Sequence, residues 1–357
     1  MGTRDRWHRR WIRSAAVAAL ALAATSCQSQ APQSAGSELK LSVAVAPAFP
    51  LGAAARAWAE AMAAASAARI DAKVHPGAAL ALRDPGREFF ALRDGAADLA
   101  VGSALAWSTQ FPAGGVYALP WIAPEPDDLA ELVAAPEVAA IVMKRAVDVG
   151  VVIVAMAPLG HRALATVDRV VRTPTDLAGL RLRVTGGASV AETLAALGAR
   201  PEAMSFLQAQ EALATGKLDG QDGMATSFVA ARFPATGYRQ LAHLGAFGDA
   251  MLFAVRRPVW DAWTDAQRAS AVATARAVAR EGGAQKREAA AERELVAAGM
   301  GETRLTRAGV DAFSAAAAQV RAMRGQFVGA DLVSAAEAAV ARFRESRTPP
   351  GPAATPQ

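Results

Sequence analysis

Two arginines, Arg181 and Arg183, alternate with apolar residues in the segment 180–184. This alternation is typical of a strand, and residues two apart on a strand lie on the same face. A guanidinium presents a planar fork of N–H donors that can hold a carboxylate through two charge-assisted hydrogen bonds. The segment is therefore a candidate anion site, although most strand arginines simply lie on the surface.

The sequence lacks the local patterns of common catalytic and cofactor sites. It contains no Gly-x-Ser-x-Gly elbow, no phosphate-binding loop and no dinucleotide-binding fingerprint. Its histidines, His8, His75, His161 and His243, are far apart without metal-ligand spacing, so we predict neither a metal nor another cofactor. Catalysis needs a base, a nucleophile or a metal within reach of one another, and no spacing indicates such a group. The sequence therefore favours a binding protein over an enzyme.

The N-terminal residues predict export and attachment to a membrane. Residues 1–13 are rich in arginine, and the apolar run 14–24 is shorter than the about 20 residues that span a bilayer. The run ends in small residues before Cys27, the only cysteine, and this layout resembles a bacterial lipoprotein signal. We expect a signal peptide over 1–27, lipid on Cys27, a flexible spacer over 28–38 and a periplasmic, membrane-anchored lipoprotein. An ordinary secreted protein with an incidental cysteine is the alternative.

The net charge of +5 does not indicate a nucleic-acid partner. Residues 1–27 contain five arginines and one aspartate, a charge of +4, so the rest of the chain carries about +1 by the same count. No basic stripe remains that could contact phosphates along a nucleic acid. Hydrophobic residues make up 53% of the chain, which is enough for sizeable packed cores.

Strand and helix patterns alternate along the chain, which predicts mostly parallel sheets covered by helices. The pattern restarts after residue 157, and the apolar stretch 241–255 could cross back to the first unit. Glycines at 220 and 223 predict a sharp turn over residues 218–223. A long amphipathic helix is predicted over 264–298, with an interruption at two successive glycines.

Two such units with a return crossing predict an α/β fold of two lobes with a ligand cleft between them. We place the first lobe at 39–158 with a return segment at about 241–263, the second lobe at 159–240, a long helix and C-terminal helices at 264–345, and a disordered Pro-rich tail at 346–357.

Three motifs between Arg172 and Met224 resemble the solute-binding proteins of TRAP transporters, the C4-dicarboxylate-type family. They read Arg-Thr-Pro-Thr-Asp-Leu-Ala-Gly-Leu-Arg-Leu-Arg-Val from 172, Ala-Leu-Gly-Ala-Arg-Pro-Glu-Ala-Met-Ser-Phe from 196, and Glu-Ala-Leu-Ala-Thr-Gly-Lys-Leu-Asp-Gly-Gln from 211. The resemblance extends from about residue 39 to about residue 344. It implies a periplasmic-binding-protein-like fold with a long helix bracing both lobes, a small organic acid as ligand, and membrane subunits of a TRAP-type transporter as partners.

The resemblance also implies a set of ligand-binding residues. Arg183 matches the family arginine that clamps the ligand carboxylate. Arg162 matches a second arginine that touches the carboxylate or braces the site, the alternative being a salt bridge between lobes. Phe206 matches a family position that forms a wall of the pocket, the alternative being simple packing in the core. Ser103 matches a first-lobe position that faces the ligand, the alternative being that it ends its strand in a turn. Asp222 completes the predicted set.

Departures from the family pattern bear on the ligand. The family commonly has Gly-Gln-Glu-Asn-Pro where this chain has Gly-Gln-Asp-Gly-Met, so an amide is missing at Gly223. Gln208 and Gln210 replace a Glu and a Tyr. We therefore expect a small, partly apolar organic acid. A sensory binding protein that serves a receptor kinase, a periplasmic enzyme acting on a carboxylate and the binding protein of an ATP-driven importer are the competing interpretations.

Overall fold

The computed structural model describes residues 38–65, 68–184, 187–204 and 206–347. Within these ranges the chain forms two β-sheets and a set of covering helices. The strands are β1 (Leu39–Val43), β2 (Ala72–His75), β3 (Leu99–Ser103), β4 (Val151–His161), β5 (Ala163–Thr166), β6 (Arg181–Val184), β7 (Arg200–Ala203), β8 (Gly220–Gly223), β9 (Gln240–His243), β10 (Gly248–Arg256) and β11 (Gly301–Arg304).

The α-helices are α1 (Pro50–Ala64), α2 (Glu88–Arg93), α3 (Ala104–Trp107), α4 (Pro126–Ala134), α5 (Pro136–Asp148), α6 (Ala188–Ala196), α7 (Phe206–Ala214), α8 (Ala225–Ala230), α9 (Arg257–Ala262), α10 (Asp265–Glu281), α11 (Ala284–Ala297), α12 (Arg307–Ala316), α13 (Ala318–Val328) and α14 (Ala330–Arg347). Short 3-10 helices span Ala79–Ala81, Pro85–Arg87, Pro112–Ala118, Pro174–Leu177 and Phe233–Thr236.

The first sheet has the strand order β2-β1-β3-β10-β4. β1 pairs in parallel with β2 and β3, whereas β10 runs antiparallel to both β3 and β4. Eight of the nine residues of β10 are buried, so this strand lies in the middle of the first lobe's core. β10 is the strand that returns from the second sheet, as the apolar stretch predicted.

The second sheet has the strand order β11-β9-β5-β8-β6-β7. β9 belongs to this sheet, although the predicted return segment included most of its residues. β6, β7 and β8 are parallel neighbours, but β5 is antiparallel to β8 and β9. The prediction of mostly parallel sheets is thus wrong for β5 and β10, because each enters its sheet directly from the other sheet without a crossover helix.

The turn predicted over residues 218–223 is wrong, because Gly220–Gly223 is the buried strand β8 in the interior of the second sheet. Neither terminal glycine of β8 has a positive φ. A Cβ on Gly220 would lie 2.6 Å from the Ala165 carbonyl oxygen, and a Cβ on Gly223 would lie 2.7 Å from the Phe228 ring. These glycines therefore permit close packing rather than a turn.

The long helix predicted over 264–298 is confirmed as two helices, α10 and α11, that break at Gly282 and Gly283. Gly283 has a φ of 54°, a left-handed conformation that glycine adopts readily. α10 packs on the first sheet's core through Ala271, whose carbonyl accepts a hydrogen bond from the Trp58 indole N–H. α11 packs through Leu295 on the second sheet's core. The helix pair therefore contacts both lobes.

The helical stretch predicted over residues 127–147 is divided by a proline, as expected. Pro136 divides the helical stretch 127–147 into α4 and α5, because proline cannot donate inside a helix. None of the described helices is both long and apolar enough to cross a bilayer.

Cys27, the predicted signal peptide and nearly all of the predicted spacer lie outside the described residues, as does most of the predicted C-terminal tail.

Candidate functional site

Two crossings between the sheets meet beside Arg162. β4 of the first sheet ends at His161 and β5 of the second sheet begins at Ala163, so Arg162 is the single residue between them. The other crossing joins β9 to β10, and its Phe247 carbonyl accepts a hydrogen bond from the Arg162 backbone N–H at 3.0 Å. Arg162 therefore lies at the junction of the two lobes.

Arg162 forms a buried ion pair with Asp222 on β8. Its Nε donates to Asp222 Oδ2 at 2.8 Å, and Nη2 donates to the same oxygen. Burial by itself would lower the pKa of Arg162, but the charge and hydrogen bonds of Asp222, with the charges of Asp249 and Glu288, outweigh burial and raise the pKa. The guanidinium is therefore firmly charged and its charge is matched inside the protein.

Arg183 lies on β6 opposite Gln221 of the neighbouring strand β8. It is only 9% exposed. Its Nε donates to the Met204 carbonyl at 3.1 Å and its Nη1 donates to Gln221 Oε1 at 3.2 Å, both neutral acceptors. No carboxylate of the described residues forms an ion pair with it. Burial lowers the pKa of Arg183 and the neighbouring positive charge of Arg162 lowers it further, while the charge of Asp222 opposes them.

Tyr238 supplies a second polar group near Arg183. Its ring stacks on Phe233 at 4.1 Å, and Phe233 stacks on Phe228 at 4.4 Å, so the phenol is held by a row of aromatic rings. Burial raises the pKa of Tyr238 to about 12, against the opposing charge of Arg183, so the hydroxyl is neutral at physiological pH. This hydroxyl is buried and makes no hydrogen bond to any residue that the structure describes.

Ser103 lies at the end of β3 and caps α3. Its hydroxyl donates to Asp249 Oδ2 at 2.6 Å and accepts from the Ala106 backbone N–H at 3.0 Å. Asp249 on β10 also accepts from the Leu105 backbone N–H at 3.0 Å. Burial raises the pKa of Asp249. The first lobe thus presents a buried carboxylate with its own donors, and Ser103 is part of that arrangement.

Glu288 links the bracing helices to this region. It lies on α11, is buried, and accepts hydrogen bonds from the backbone N–H and the hydroxyl of Thr226. Burial raises its pKa. A Cβ on Gly160 would approach the Glu288 side chain to 3.0 Å, so α11 packs tightly against the end of β4.

The structure brings four of the five predicted ligand-binding residues into one region. Arg162 and Asp222 are in contact, Arg183 lies on the adjoining strand, and Ser103 reaches the region through Asp249. Phe206 begins α7, but its side chain lies outside the described part of the structure. The two arginines differ in one respect that matters chemically: Arg162 has a carboxylate partner, whereas the hydrogen-bond acceptors described for Arg183 are neutral.

Four residues that the structure places in this region were not predicted: Tyr238, Asp249, Gln221 and Glu288. Asp249 is an acid within the otherwise apolar run 246–255, and an isolated acid in a buried strand is a signal that could have identified it. Tyr238 gave no such signal, because its proximity to Arg183 depends on how the second lobe folds.

The chain is similar to proteins of known family and known structure. A family model described as bacterial extracellular solute-binding protein, family 7 (DctP) matches residues 41–324. A solved TRAP periplasmic solute-binding protein from Ralstonia eutropha H16 with bound (S)-2-acetolactate is 35% identical, with a TM-score of 0.79, covering 86% of this chain and 99% of that chain. A second one, from Ochrobactrum anthropi, is 22% identical with a TM-score of 0.79, covering 87% and 96%. These similarities confirm the predicted two-lobed fold.

A solute-binding protein from Chromohalobacter salexigens is 26% identical over 182 residues, which are 51% of this chain and 53% of that protein. The chain thus spans about half the length of that curated relative.

Proposed function

We propose that this chain, which belongs to the bacterial extracellular solute-binding proteins of family 7, captures a small organic carboxylate and delivers it to a TRAP-type transporter. The observation that carries the proposal is the state of Arg183: a buried guanidinium whose described hydrogen-bond acceptors are neutral. A buried cation is costly unless a counter-charge accompanies it. A ligand carboxylate would supply that counter-charge.

The chemistry of Arg183 favours a carboxylate over a neutral solute. Two of its nitrogens are used by Met204 and Gln221, and the fork geometry still allows further N–H donors to reach one anion. Arg162 adds positive potential nearby, while its own charge is matched by Asp222. One arginine without a carboxylate partner among the described residues favours a ligand with one carboxylate.

The ligand that we propose is a small, branched hydroxy or keto acid. The 35% identical protein from Ralstonia eutropha holds (S)-2-acetolactate, which has one carboxylate, one hydroxyl, one ketone and two methyl groups. Tyr238 offers a neutral hydroxyl near Arg183 that has no hydrogen-bond partner among the described residues and could serve such polar groups after a small adjustment. The sequence-based expectation of a partly apolar acid agrees with this chemistry.

Capture and delivery would use the two crossings at Arg162 and Phe247. A ligand that contacts both lobes favours their closed arrangement, which is a shift of population between two states. The predicted lipid on Cys27 would keep the protein near its transporter and raise the effective concentration. We infer no catalytic step, since the family is one of binding proteins.

The test is a binding experiment with a matched ligand pair. (S)-2-Acetolactate at 100 times its dissociation constant should stabilise the fold by about 2.7 kcal/mol, a rise in melting temperature of about 4 °C for a chain of this size. Its methyl ester, which keeps the shape and loses the charge, should give no rise. Mass spectrometry of the released ligand should show it unchanged. Equal shifts with acid and ester would refute carboxylate recognition. A ligand that is altered faster with the protein than in a protein-free control would indicate an enzyme.

A further inference from the structure

A second polar cluster lies away from Arg183, at the edge of the second sheet. It consists of His243 on β9, Glu302 on the neighbouring β11, and Glu292 on α11, which packs beside them. One ring nitrogen and one oxygen from each carboxylate all lie within 4.8 Å of one another. The two strands and the helix are regular elements, so the three side chains are held on a rigid frame.

The contacts of His243 are electrostatically incomplete. Nε2 is 3.0 Å from Glu302 Oε1, and Nδ1 is 3.5 Å from Glu292 Oε1. A neutral imidazole carries one N–H, so one nitrogen turns its lone pair toward a carboxylate oxygen. Nε2 is buried and makes no hydrogen bond with adequate geometry to any described residue.

A cation between the three side chains would remove this repulsion. We propose that His243, Glu292 and Glu302 form a site for a divalent transition-metal ion, with Zn²⁺ as the best match. Imidazole nitrogen and carboxylate oxygen are both Zn²⁺ ligands, and three protein ligands leave a fourth position for water. His243 and Glu292 line a cavity of about 270 Å³, which has room for that water.

Arg304 is the competitor for this site. Its guanidinium lies 2.9 Å from Glu292 and 2.8 Å from Glu302, so it partly neutralises both carboxylates. Its side chain is 59% exposed and can move into solvent. Two carboxylates and a neutral imidazole carry a charge of −2, which a divalent ion matches without Arg304. The metal and the arginine should therefore exclude each other.

The test uses the chain with Cys27→Ser, which removes the only thiol, after treatment with a chelator. Calorimetry with ZnCl₂ should show one equivalent bound, and Co²⁺ should give the visible absorption of a tetrahedral site with nitrogen and oxygen ligands. His243→Gln and Glu302→Gln should each weaken Zn²⁺ binding by about 100-fold or more. Glu294→Gln, on an exposed position of the same helix, is the matched control and should change nothing.

Arg304→Gln separates a metal site from a plain salt-bridge network. Removing the competing cation should tighten Zn²⁺ binding by about fivefold. Retained far-UV circular dichroism in each variant shows that the fold is intact. No Zn²⁺ binding by the parent and by Arg304→Gln would overturn the proposal. So would binding that His243→Gln and Glu302→Gln leave unchanged, because the ion would then lie elsewhere.

Discussion

Replacing Arg183 with methionine should separate ligand recognition from fold stability. The side chains are similar in length, but methionine has no charge and no donors. Two charge-assisted hydrogen bonds to a ligand carboxylate, each worth about 1.5–3 kcal/mol, sum to about 3–6 kcal/mol. Since about 1.4 kcal/mol is a factor of ten, the dissociation constant should rise by about 10²–10⁴-fold.

Two opposing effects determine the stability of the unliganded Arg183→Met variant. The variant removes a buried cation whose described acceptors are neutral, which favours the folded state. It also leaves the Met204 carbonyl and Gln221 Oε1 without their donor, at about 1–3 kcal/mol each. The net change in the free energy of unfolding should therefore be within about 3 kcal/mol. A residue retained only for stability would give the reverse result: a large stability loss with little effect on binding.

The assays are calorimetry with (S)-2-acetolactate and urea unfolding without ligand. Arg181→Met is the matched control, because Arg181 is on the same strand and pairs with Asp219 at the surface. It should leave the dissociation constant unchanged. If Arg183→Met bound the ligand within tenfold of the parent chain, the assignment of Arg183 as the carboxylate clamp would be wrong.

Three further predictions concern the surrounding structure. Asp222→Asn removes the carboxylate that pairs with the buried Arg162 and should cost about 3–5 kcal/mol in urea unfolding. The double variant Arg162→Met/Asp222→Leu should lose less, and an equal or larger loss in the double variant would contradict this. Burial raises the pKa of Glu88 from 4.5 to about 7, so the folded state keeps a proton that the unfolded chain loses. The free energy of unfolding should therefore fall as pH rises from about 4.5 to 7. Glu88→Gln should recover about 3 kcal/mol of that free energy at pH 8 and almost nothing at pH 4.5. The same gain at both pH values would refute the raised pKa of Glu88. Gly220→Ala should cost about 1–3 kcal/mol in urea unfolding, because its Cβ meets the Ala165 carbonyl oxygen at 2.6 Å; an unchanged midpoint would show that the strands can separate without cost.

Local chemistry was sufficient to predict much of the fold. Pro136 divides two helices, and Gly282 with Gly283 divides two more, since each changes what the backbone at that position can do. Arg183 was predicted from strand alternation together with the family motif. Its burial could not be predicted, because burial depends on the neighbouring strand β8.

The prediction from sequence was wrong where glycine can serve either a turn or close packing within a strand. Gly220 and Gly223 indicated a turn, yet the structure uses them where a strand packs too closely for a side chain. The cluster of His243, Glu292 and Glu302 left no pattern at all. Its members come from two strands and a helix, and only the folded second lobe places their ligand atoms together.

The contrast between Arg162 and Arg183 suggests why binding and lobe closure would be coupled. Arg162, at the junction of the lobes, has its charge matched by Asp222, so its electrostatic balance does not depend on ligand. The acceptors described for Arg183 are neutral, and a buried cation attracts a counter-charge strongly because little water screens it. An incoming carboxylate would provide that charge, and closure would exclude the water that competes for it. A neutral solute of the same shape would gain neither effect, so selectivity for an acid and stabilisation of the closed state would follow from the same guanidinium.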